Sequence, residues 1–180
     1  MANKQALREL QTRLAERMQA ARTQPRGQSW LAVECRGHGL LLPLEQAGEI
    51  FAVVPLLPVP HTQPWFAGVA NLRGGLHGVV DLARFLGLPE LDAVDSGRDQ
   101  ARLIGLGASL GLNGALLVDR LAGLRSGDQL RRQADDDGAD ATPARPSFAP
   151  TLWLDANGRS WQALDLGALA RDVRFLSIAA

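Results

Sequence analysis

The chain has 180 residues, with 19 Lys and Arg against 19 Asp and Glu, and 46% of its residues are hydrophobic. This composition is typical of one globular domain or of two small ones that share a core, and the balanced charge argues against binding nucleic acid by phosphate neutralisation. A single cysteine, Cys35, excludes an intramolecular disulfide. No apolar segment resembles a secretory signal or a membrane span, so we expect a cytoplasmic protein without direct membrane insertion.

Residues 1–27 are predicted to form an N-terminal helical extension and a linker. Apolar residues recur at spacings of three and four between Lys4 and Arg22, which is the pattern of an amphipathic helix: Leu7, Leu10, Leu14, Met18 and Ala21. Pro25 and Gly27 then end the helix. Such a helix either packs against the domain or is an arm that docks on a partner.

From Ser29 the sequence is typical of β-structure. The apolar runs SWLAVEC and GLLLPL flank a turn at RGHG, and the proline-rich PLLPVPHTQPW must be extended and largely non-helical. The runs WFAGVANL and LHGVVDL predict two more strands around a turn at residues 73–75. The run LARFLGL predicts a short helix that ends at Gly87, and a polar loop follows.

The second half repeats this arrangement. ARLIGLG predicts a strand, ASLGLN a turn, and GALLVDRLAGL a strand that runs into a bend, while Asn157-Gly158 predicts a hairpin. GALLVDRLAGL matches GLLLPLEQAGEI, and SWQALDLGALA matches HGVVDLARFLG, which suggests two similar small barrels. The equivalent Asp81 and Asp165 are expected to be structural, each capping the short helix that follows. A flexible acidic loop is predicted from about residue 126 to 147.

No motif predicts an enzyme. LRGGLHG lies between two strands and lacks the Lys-Ser/Thr ending of a phosphate loop, and no serine lies in a nucleophile elbow. Cys35 alternates with apolar residues and is expected to be buried. The three histidines, His38, His61 and His77, are 16 to 23 residues apart and form no tight ligand pair. We therefore expect no catalytic, cofactor-binding or metal-binding residue, with a metal-dependent enzyme that uses these histidines as an alternative.

The segment GVANLRGGLHGVVDLARFLG resembles the signature of the CheW-like adaptors of bacterial chemotaxis, and the likeness extends from Ser29 to about Ala170. The lead-in VVPLLPVPHTQPWFAGVANLRG and the FLSIAA tail are most similar to the adaptors of type IV pilus (twitching motility) signalling. The resemblance implies an all-β module over residues 28–180, with two interlocked five-stranded, SH3-like barrels and short helices. It also implies a non-enzymatic adaptor that couples the cytoplasmic tip of a methyl-accepting chemoreceptor to the regulatory domain of a CheA-type histidine kinase.

The same resemblance implies which residues form the binding surfaces. The implied receptor-binding residues are Arg73, Gly74, Asn71, Gly68, Glu49 and Ala47. The apolar groove between the barrels is expected to be lined by Leu116 and Val118. The sequence departs from the family at His77-Gly78, where the family often has an apolar residue followed by a proline. The alternative function is a small β-barrel module that binds an unrelated peptide or nucleic acid.

Overall fold

The computed structural model of the chain describes residues 28–89, 98–133 and 146–180. These residues form eleven strands, β1 (Ser29–Cys35), β2 (His38–Pro43), β3 (Ala47–Ala52), β4 (Phe66–Leu72), β5 (Gly75–Asp81), β6 (Arg102–Leu106), β7 (Gly114–Val118), β8 (Arg120–Ser126), β9 (Leu130–Arg132), β10 (Thr151–Asp155) and β11 (Ser160–Ala163). They also form three short helices, α1 (Leu82–Phe85), α2 (Leu166–Leu169) and α3 (Val173–Leu176). The predicted N-terminal helix lies outside the described residues.

The strands form two sheets of corresponding topology. The six-stranded sheet has the order β8-β1-β2-β11-β10-β9 and the five-stranded sheet has the order β3-β6-β7-β5-β4. Neighbouring strands are antiparallel except for one parallel pair in each sheet, β2 with β11 and β7 with β5. The first five strands of the larger sheet therefore correspond one by one to the five strands of the smaller sheet. This confirms the predicted all-β fold and its duplication, with β9 as the additional strand.

Each sheet takes strands from both halves of the chain: β1 and β2 join β8–β11 in one sheet, and β6 and β7 join β3, β4 and β5 in the other. The strand β3 follows β2 in the chain but pairs with β6, and β8 follows β7 after the single residue Asp119 but pairs with β1. Both strands have a register shift beside an Ala-Gly pair, between Ala47 and Ile50 in β3 and between Leu121 and Gly123 in β8. Such bulges bend a strand and increase its twist. GALLVDRLAGL is therefore two strands rather than the predicted strand and bend.

The core has three parts because alternate residues of the central strands face opposite sides. On β1, Leu31 and Val33 belong to a shared core that also contains residues of the five-stranded sheet, among them Ile104. Trp30 belongs to a separate cluster inside the six-stranded sheet. A third cluster fills the five-stranded sheet, with Ala70, Leu72, Val79, Leu103 and Ala115. Both faces of the central strands are thus covered by apolar side chains.

The predicted acidic loop is shorter at its N-terminal end than the sequence suggests. Residues 126–132 complete β8, form a short 3-10 turn and then form β9, rather than a loop. The reason is Leu130, which is 6% exposed and packs in the cluster that contains Trp30. Residues 134–145 lie outside the described residues. The proline-rich connection is non-helical as predicted, and its Leu57 forms a backbone bridge with Val69 of β4.

Candidate partner-binding site

The β4–β5 hairpin turns on Arg73 and Gly74. Leu72 and Gly75 pair across its ends, and both loop residues have positive φ, 50° for Arg73 and 84° for Gly74. Positive φ at both positions is what a type I′ turn requires, and this turn matches the twist of the flanking strands. Glycine adopts this conformation without steric cost, whereas it is uncommon for a residue with a Cβ. The hairpin therefore holds an arginine at a position that favours Gly or Asn.

An ion pair joins this turn to the opposite edge of the sheet. Arg73 Nη2 lies 2.5 Å from Glu49 Oε1, and the two side chains are 75% and 42% exposed. Glu49 lies on β3 and the turn follows β4, and these two strands are the edges of the five-stranded sheet. An ion pair this exposed contributes about 0–1 kcal/mol to stability. The guanidinium also has further donors that can reach a second acceptor.

Asn71 shapes the same turn from within β4. Its Oδ1 accepts a hydrogen bond of 2.8 Å from the backbone N–H of Gly74, and Asn71 is itself exposed. Directly across the hairpin lies Leu76, whose side chain shares the face of Asn71 and is 64% exposed. The hairpin therefore presents a cation, an amide and an apolar side chain together at the surface.

Two of the predicted receptor-binding residues are less accessible than expected. Gly68 is buried, and with φ at 127° a Cβ at this position would collide with the carbonyl oxygen of Leu57. It must be glycine because Leu57 and Val69 exchange backbone hydrogen bonds of 2.8 Å beside it. The absence of a Cβ at Gly68 thus admits the proline-rich connection, and its predicted support of a receptor contact stays a prediction. Ala47 is half-buried against the shared core.

Leu116 and Val118, which are predicted to line the apolar groove between the barrels, are buried. They are 0% and 1% exposed and belong to the shared core, because β7 is a central strand covered by the other sheet. Apolar side chains reach the surface on the edge strands instead. Ile50 pairs with Ile104, and Leu121 and Leu124 pair with Val33 and Leu31, so each continues the shared core to the surface. Their exposed fractions are 36–61%.

Asp81 and Asp165 occupy equivalent positions at the starts of α1 and α2. Oδ1 of Asp81 accepts a hydrogen bond of 3.0 Å from the N–H of Arg84, and Oδ1 of Asp165 accepts one of 3.0 Å from the N–H of Ala168. Each carboxylate thus satisfies an N–H that the first helical turn leaves without a backbone partner. This is the capping role that the repeated Asp-Leu motif predicts.

The sequence does not predict the buried carboxylate of Glu34. Glu34 on β1 has a side chain only 6% exposed, and it lies 2.6 Å from Arg120 Nε and 2.6 Å from Arg159 Nη1. Arg159 also donates to the carbonyl oxygen of Gly37 and lies over the Trp161 ring. The signal in the sequence is an acidic residue inside the apolar run SWLAVEC. The ion pairs of Glu34 with Arg120 and Arg159 therefore join β1, β8 and the β10–β11 hairpin.

Comparisons with known proteins agree with this geometry. Residues 29–174 match the CheW-like domain family. The chain belongs to the CheW-like family. This match confirms the resemblance that the sequence shows around Arg73 and Gly74.

Two relatives extend the comparison. Protein PilI of Pseudomonas aeruginosa is 32% identical over 100 residues, so the alignment spans 54% of this chain and 53% of the relative. The crystal structure of the scaffolding protein TtCheW from Thermoanaerobacter tengcongensis superimposes with a TM-score of 0.64 at 17% identity, and the superposition covers 85% of this chain and 93% of that one. The second relative therefore shows the fold alone.

The contacts of Gly78 disfavour a proline at this position. The backbone N–H of Gly78 donates a hydrogen bond of 2.9 Å to the carbonyl oxygen of Asn113, and the Phe66 ring lies against the position that a Cβ would occupy. A proline would remove the donor and crowd the ring. His77 beside it lies across from Ala70, and its Nδ1 lies 3.0 Å from the carbonyl oxygen of Gly75.

The three histidines lie in different surroundings in this CheW-like fold. His38 Nε2 lies 3.2 Å from the carbonyl oxygen of Pro89, while His61 lies in an exposed turn with φ at 56°. Within residues 28–89, 98–133 and 146–180, no three His, Cys, Asp or Glu side chains are grouped as metal ligands. Over the same residues, no helix is both long enough and apolar enough to cross a membrane.

Proposed function

We propose that this CheW-like chain is a non-enzymatic coupling adaptor in the cytoplasm. It joins the cytoplasmic tip of a methyl-accepting chemoreceptor to the regulatory domain of a CheA-type histidine kinase, and so associates with membrane-bound receptor arrays through its partners. The family membership supports the adaptor role, and the likeness to Protein PilI supports a system that controls twitching motility through type IV pili. Because that likeness spans about half of either chain, the whole relative's role is part of the proposal.

The β4–β5 hairpin is the proposed receptor contact. A receptor tip is a helical hairpin, and helices dock through apolar contacts together with a few fixed polar contacts at the rim. Arg73 supplies a charge that is 75% exposed, Gly74 leaves the turn without a side chain, and Leu76 supplies an apolar contact. Glu49 holds one side of the guanidinium while the other donors can bind a carboxylate or carbonyl of the receptor. The exposed arginine on a strained turn is the observation that carries this proposal.

The test is charge reversal at Arg73 with a matched control. Arg73→Glu is expected to weaken binding of a purified receptor tip at least tenfold and to remove receptor-dependent control of the kinase in a reconstituted array, since contacts of this kind contribute about 1.5–3 kcal/mol. The control variant Arg84→Glu reverses the charge of an arginine on α1. The Arg84 side chain is 58% exposed and pairs with Asp81, the last residue of β5. The control variant is expected to bind the receptor tip normally.

A charge swap separates a receptor contact from a merely structural ion pair. The double variant Arg73→Glu with Glu49→Arg keeps an opposite-charge pair between the turn and β3. If Arg73 acts only by closing the barrel, the swap restores coupling and the proposed contact is wrong. If Arg73 binds the receptor, the swap leaves coupling impaired although the fold is retained, as circular dichroism will show.

A further inference from the structure

A cleft of about 500 Å³ lies between the six-stranded sheet and the residues that follow α1. None of the residues of the proposed receptor contact lines it. Clefts that hold small organic molecules commonly measure about 300–1,000 Å³ and are lined mainly by apolar side chains. Five leucines line this cleft, three from the sheet side and two from the residues after α1: Leu40, Leu152, Leu164, Leu86 and Leu88.

The cleft has a polar end and an apolar end because β2 and β11 run parallel. His38 and Ser160 come directly before a residue pair of these strands, so they lie side by side where both strands begin. Arg159 precedes Ser160 and lines the same end of the cleft. Leu40 and Leu164 lie further along the two strands, are each 2% exposed, and belong to the shared core. An elongated occupant therefore meets polar groups at one end and leucines at the other.

Arg159 gives the polar end a positive charge. Its ion-pair partner Glu34 is shared with Arg120, so the three side chains together carry a net charge of about +1. The Arg159 side chain is 38% exposed, and it keeps N–H donors beyond those that bind Glu34 and Gly37. Ser160 is exposed beside it, and no acidic side chain is among the described residues that line the cleft. This end therefore favours an anion.

Hydrogen bonds fix both walls of the cleft. Gln162 Nε2 donates to the carbonyl oxygens of Ala149 and Thr151, at 3.0 and 2.9 Å, on the sheet side. On the other side, Arg36 Nη1 donates a hydrogen bond of 2.7 Å to the carbonyl oxygen of Leu88. The cleft is therefore formed before any ligand binds, as small-molecule sites usually are.

We propose that this cleft binds a single-chain amphiphile with an anionic head, of the class of medium-chain fatty acids. The acyl chain lies among the leucines, and the carboxylate lies at Arg159 and Ser160, where it accepts charge-assisted hydrogen bonds. A methylene group takes up about as much space as a water molecule, roughly 30 Å³, so a chain of about ten carbons fits the cleft and a lipid with two longer chains does not.

The bound molecule bridges the end of α1 and the β10–β11 hairpin, so it stabilises the folded chain. The inference goes beyond the proposed adaptor function and does not depend on which partner binds the β4–β5 hairpin. It is therefore tested in the protein alone.

The test is titration calorimetry of the full chain with decanoate, kept below the concentration at which it forms micelles. One molecule is expected to bind per chain and to raise the melting temperature. Octanoate is expected to bind about tenfold more weakly because it buries two fewer methylene groups. Decyltrimethylammonium has a chain of the same length with a cationic head, and it is expected to bind at least tenfold more weakly than decanoate.

Two variants locate the bound molecule in the cleft. Leu152→Trp fills the apolar part and is expected to weaken decanoate binding at least tenfold, whereas Leu57→Trp, at a leucine that is 68% exposed outside the cleft, is expected to leave it unchanged. Ser160→Asp places a negative charge beside Arg159 and is expected to weaken decanoate about tenfold while decanol binds as before. Its matched control is Ala156→Asp, which adds the same charge at an exposed position of the same hairpin.

Three results would overturn the inference. No saturable binding of decanoate would mean that the cleft takes no acyl chain. Equal binding of decanoate and decyltrimethylammonium would remove the anionic head. Unchanged binding in Ser160→Asp, whose exposed position tolerates substitution even if Leu152→Trp does not fold, would place the molecule elsewhere. Since the readout involves no receptor or kinase, failure here leaves the Arg73 proposal intact, and failure of that proposal leaves this one intact.

Discussion

Two hairpins of this protein have the same turn and opposite surroundings. Arg36-Gly37 joins β1 to β2 with φ of 50° and 81°, and Arg73-Gly74 joins β4 to β5 with φ of 50° and 84°. Arg36 Nη1 donates a hydrogen bond of 2.7 Å to the carbonyl oxygen of Leu88, and its backbone N–H bonds to Asp119. Within the described part of the chain, the Arg73 side chain pairs with Glu49 alone, and it is 75% exposed. The same strained dipeptide therefore locks one hairpin to the fold and displays a charge on the other.

The different surroundings of Arg36 and Arg73 show that a turn sequence alone does not identify a binding site. What matters is whether the rest of the fold supplies acceptors for the side chain that the turn projects. Beside the β1–β2 hairpin, the carbonyl oxygen of Leu88 accepts from the Arg36 side chain, and Arg159 of the neighbouring hairpin binds Glu34 and Gly37. The β4–β5 hairpin has one exposed carboxylate beside it. Four experiments test this difference between the two hairpins.

The largest effect is expected from the carboxylates beside the two hairpins. Glu34→Ala leaves Arg120 and Arg159 without their shared partner, and removing one side of a buried ion pair costs about 3 kcal/mol of unfolding free energy. Glu49→Ala removes the exposed pair and is expected to cost about 0–1 kcal/mol. Urea denaturation of both variants measures the two values. Equal losses of unfolding free energy would mean that the carboxylates beside the β1–β2 and β4–β5 hairpins contribute equally to stability.

The contribution of Glu34 is expected to depend on pH. Burial alone would raise the pKa of Glu34, but the hydrogen bonds and charges of Arg159 and Arg120 outweigh it, and the pKa lies below its ordinary value of 4.5. A carboxylate whose folded pKa is lowered adds stability that is fully present above the unfolded pKa and disappears as pH falls through the folded pKa. The difference in unfolding free energy between the native chain and Glu34→Gln should therefore shrink below pH 4.5. A difference that stays constant through acid unfolding would contradict this.

A smaller effect is expected from the arginines themselves. Arg36→Ala loses the bond to Leu88 and should cost about 1–2 kcal/mol, whereas Arg73→Ala should cost about 0–1 kcal/mol. Alanine is equally strained at φ of 50° in both turns, so the strain cancels in the comparison. Thermal unfolding of the two variants side by side gives the difference. If Arg73→Ala were the more destabilising variant, Arg73 would be a structural residue.

The smallest effect is a gain. Arg73→Asn creates the Asn-Gly pair that type I′ turns prefer, and we expect about 0.5–1 kcal/mol more stability together with lost binding of the receptor tip. Arg36→Asn relieves the same strain but gives up the contact with Leu88, so its net effect should be near zero or destabilising. Denaturation and receptor-tip binding are measured on both variants. Retained binding in the Arg73→Asn variant would remove the arginine from the proposed contact.

Local features of this fold could be read from the sequence because their causes are local. The Arg-Gly turns, the hairpin at Asn157-Gly158 and the caps at Asp81 and Asp165 depend on residues within four positions of one another. The duplication was visible for the same reason, since each copy repeats a short motif. The pairing of β3 with β6 and of β8 with β1 cannot be predicted from the sequence, because the apolar residues of a strand do not specify which sheet the strand joins.

The candidate site shows the same division. Its central turn follows from Arg73-Gly74, but Glu49 lies 24 residues away and meets Arg73 only because the sheet closes into a barrel. The burial of Gly68 does not follow from its neighbours in sequence, because nothing there reveals that Leu57 crosses over it. The burial of Leu116 and Val118 is equally hard to predict, because an apolar residue in a central strand and one beside a groove look alike in sequence.

The mixed origin of the strands in each sheet also determines the order in which the sheets can form during synthesis. The sheet begun by β1 and β2 lacks its neighbour β8 until residue 126 has been synthesised, and the early strand β3 has no partner until β6 appears. The five-stranded sheet has all of its strands once residue 118 has been synthesised, whereas the six-stranded sheet must wait for β10 and β11. Calorimetry should nevertheless record one cooperative melting transition, because side chains of both sheets pack in one shared core.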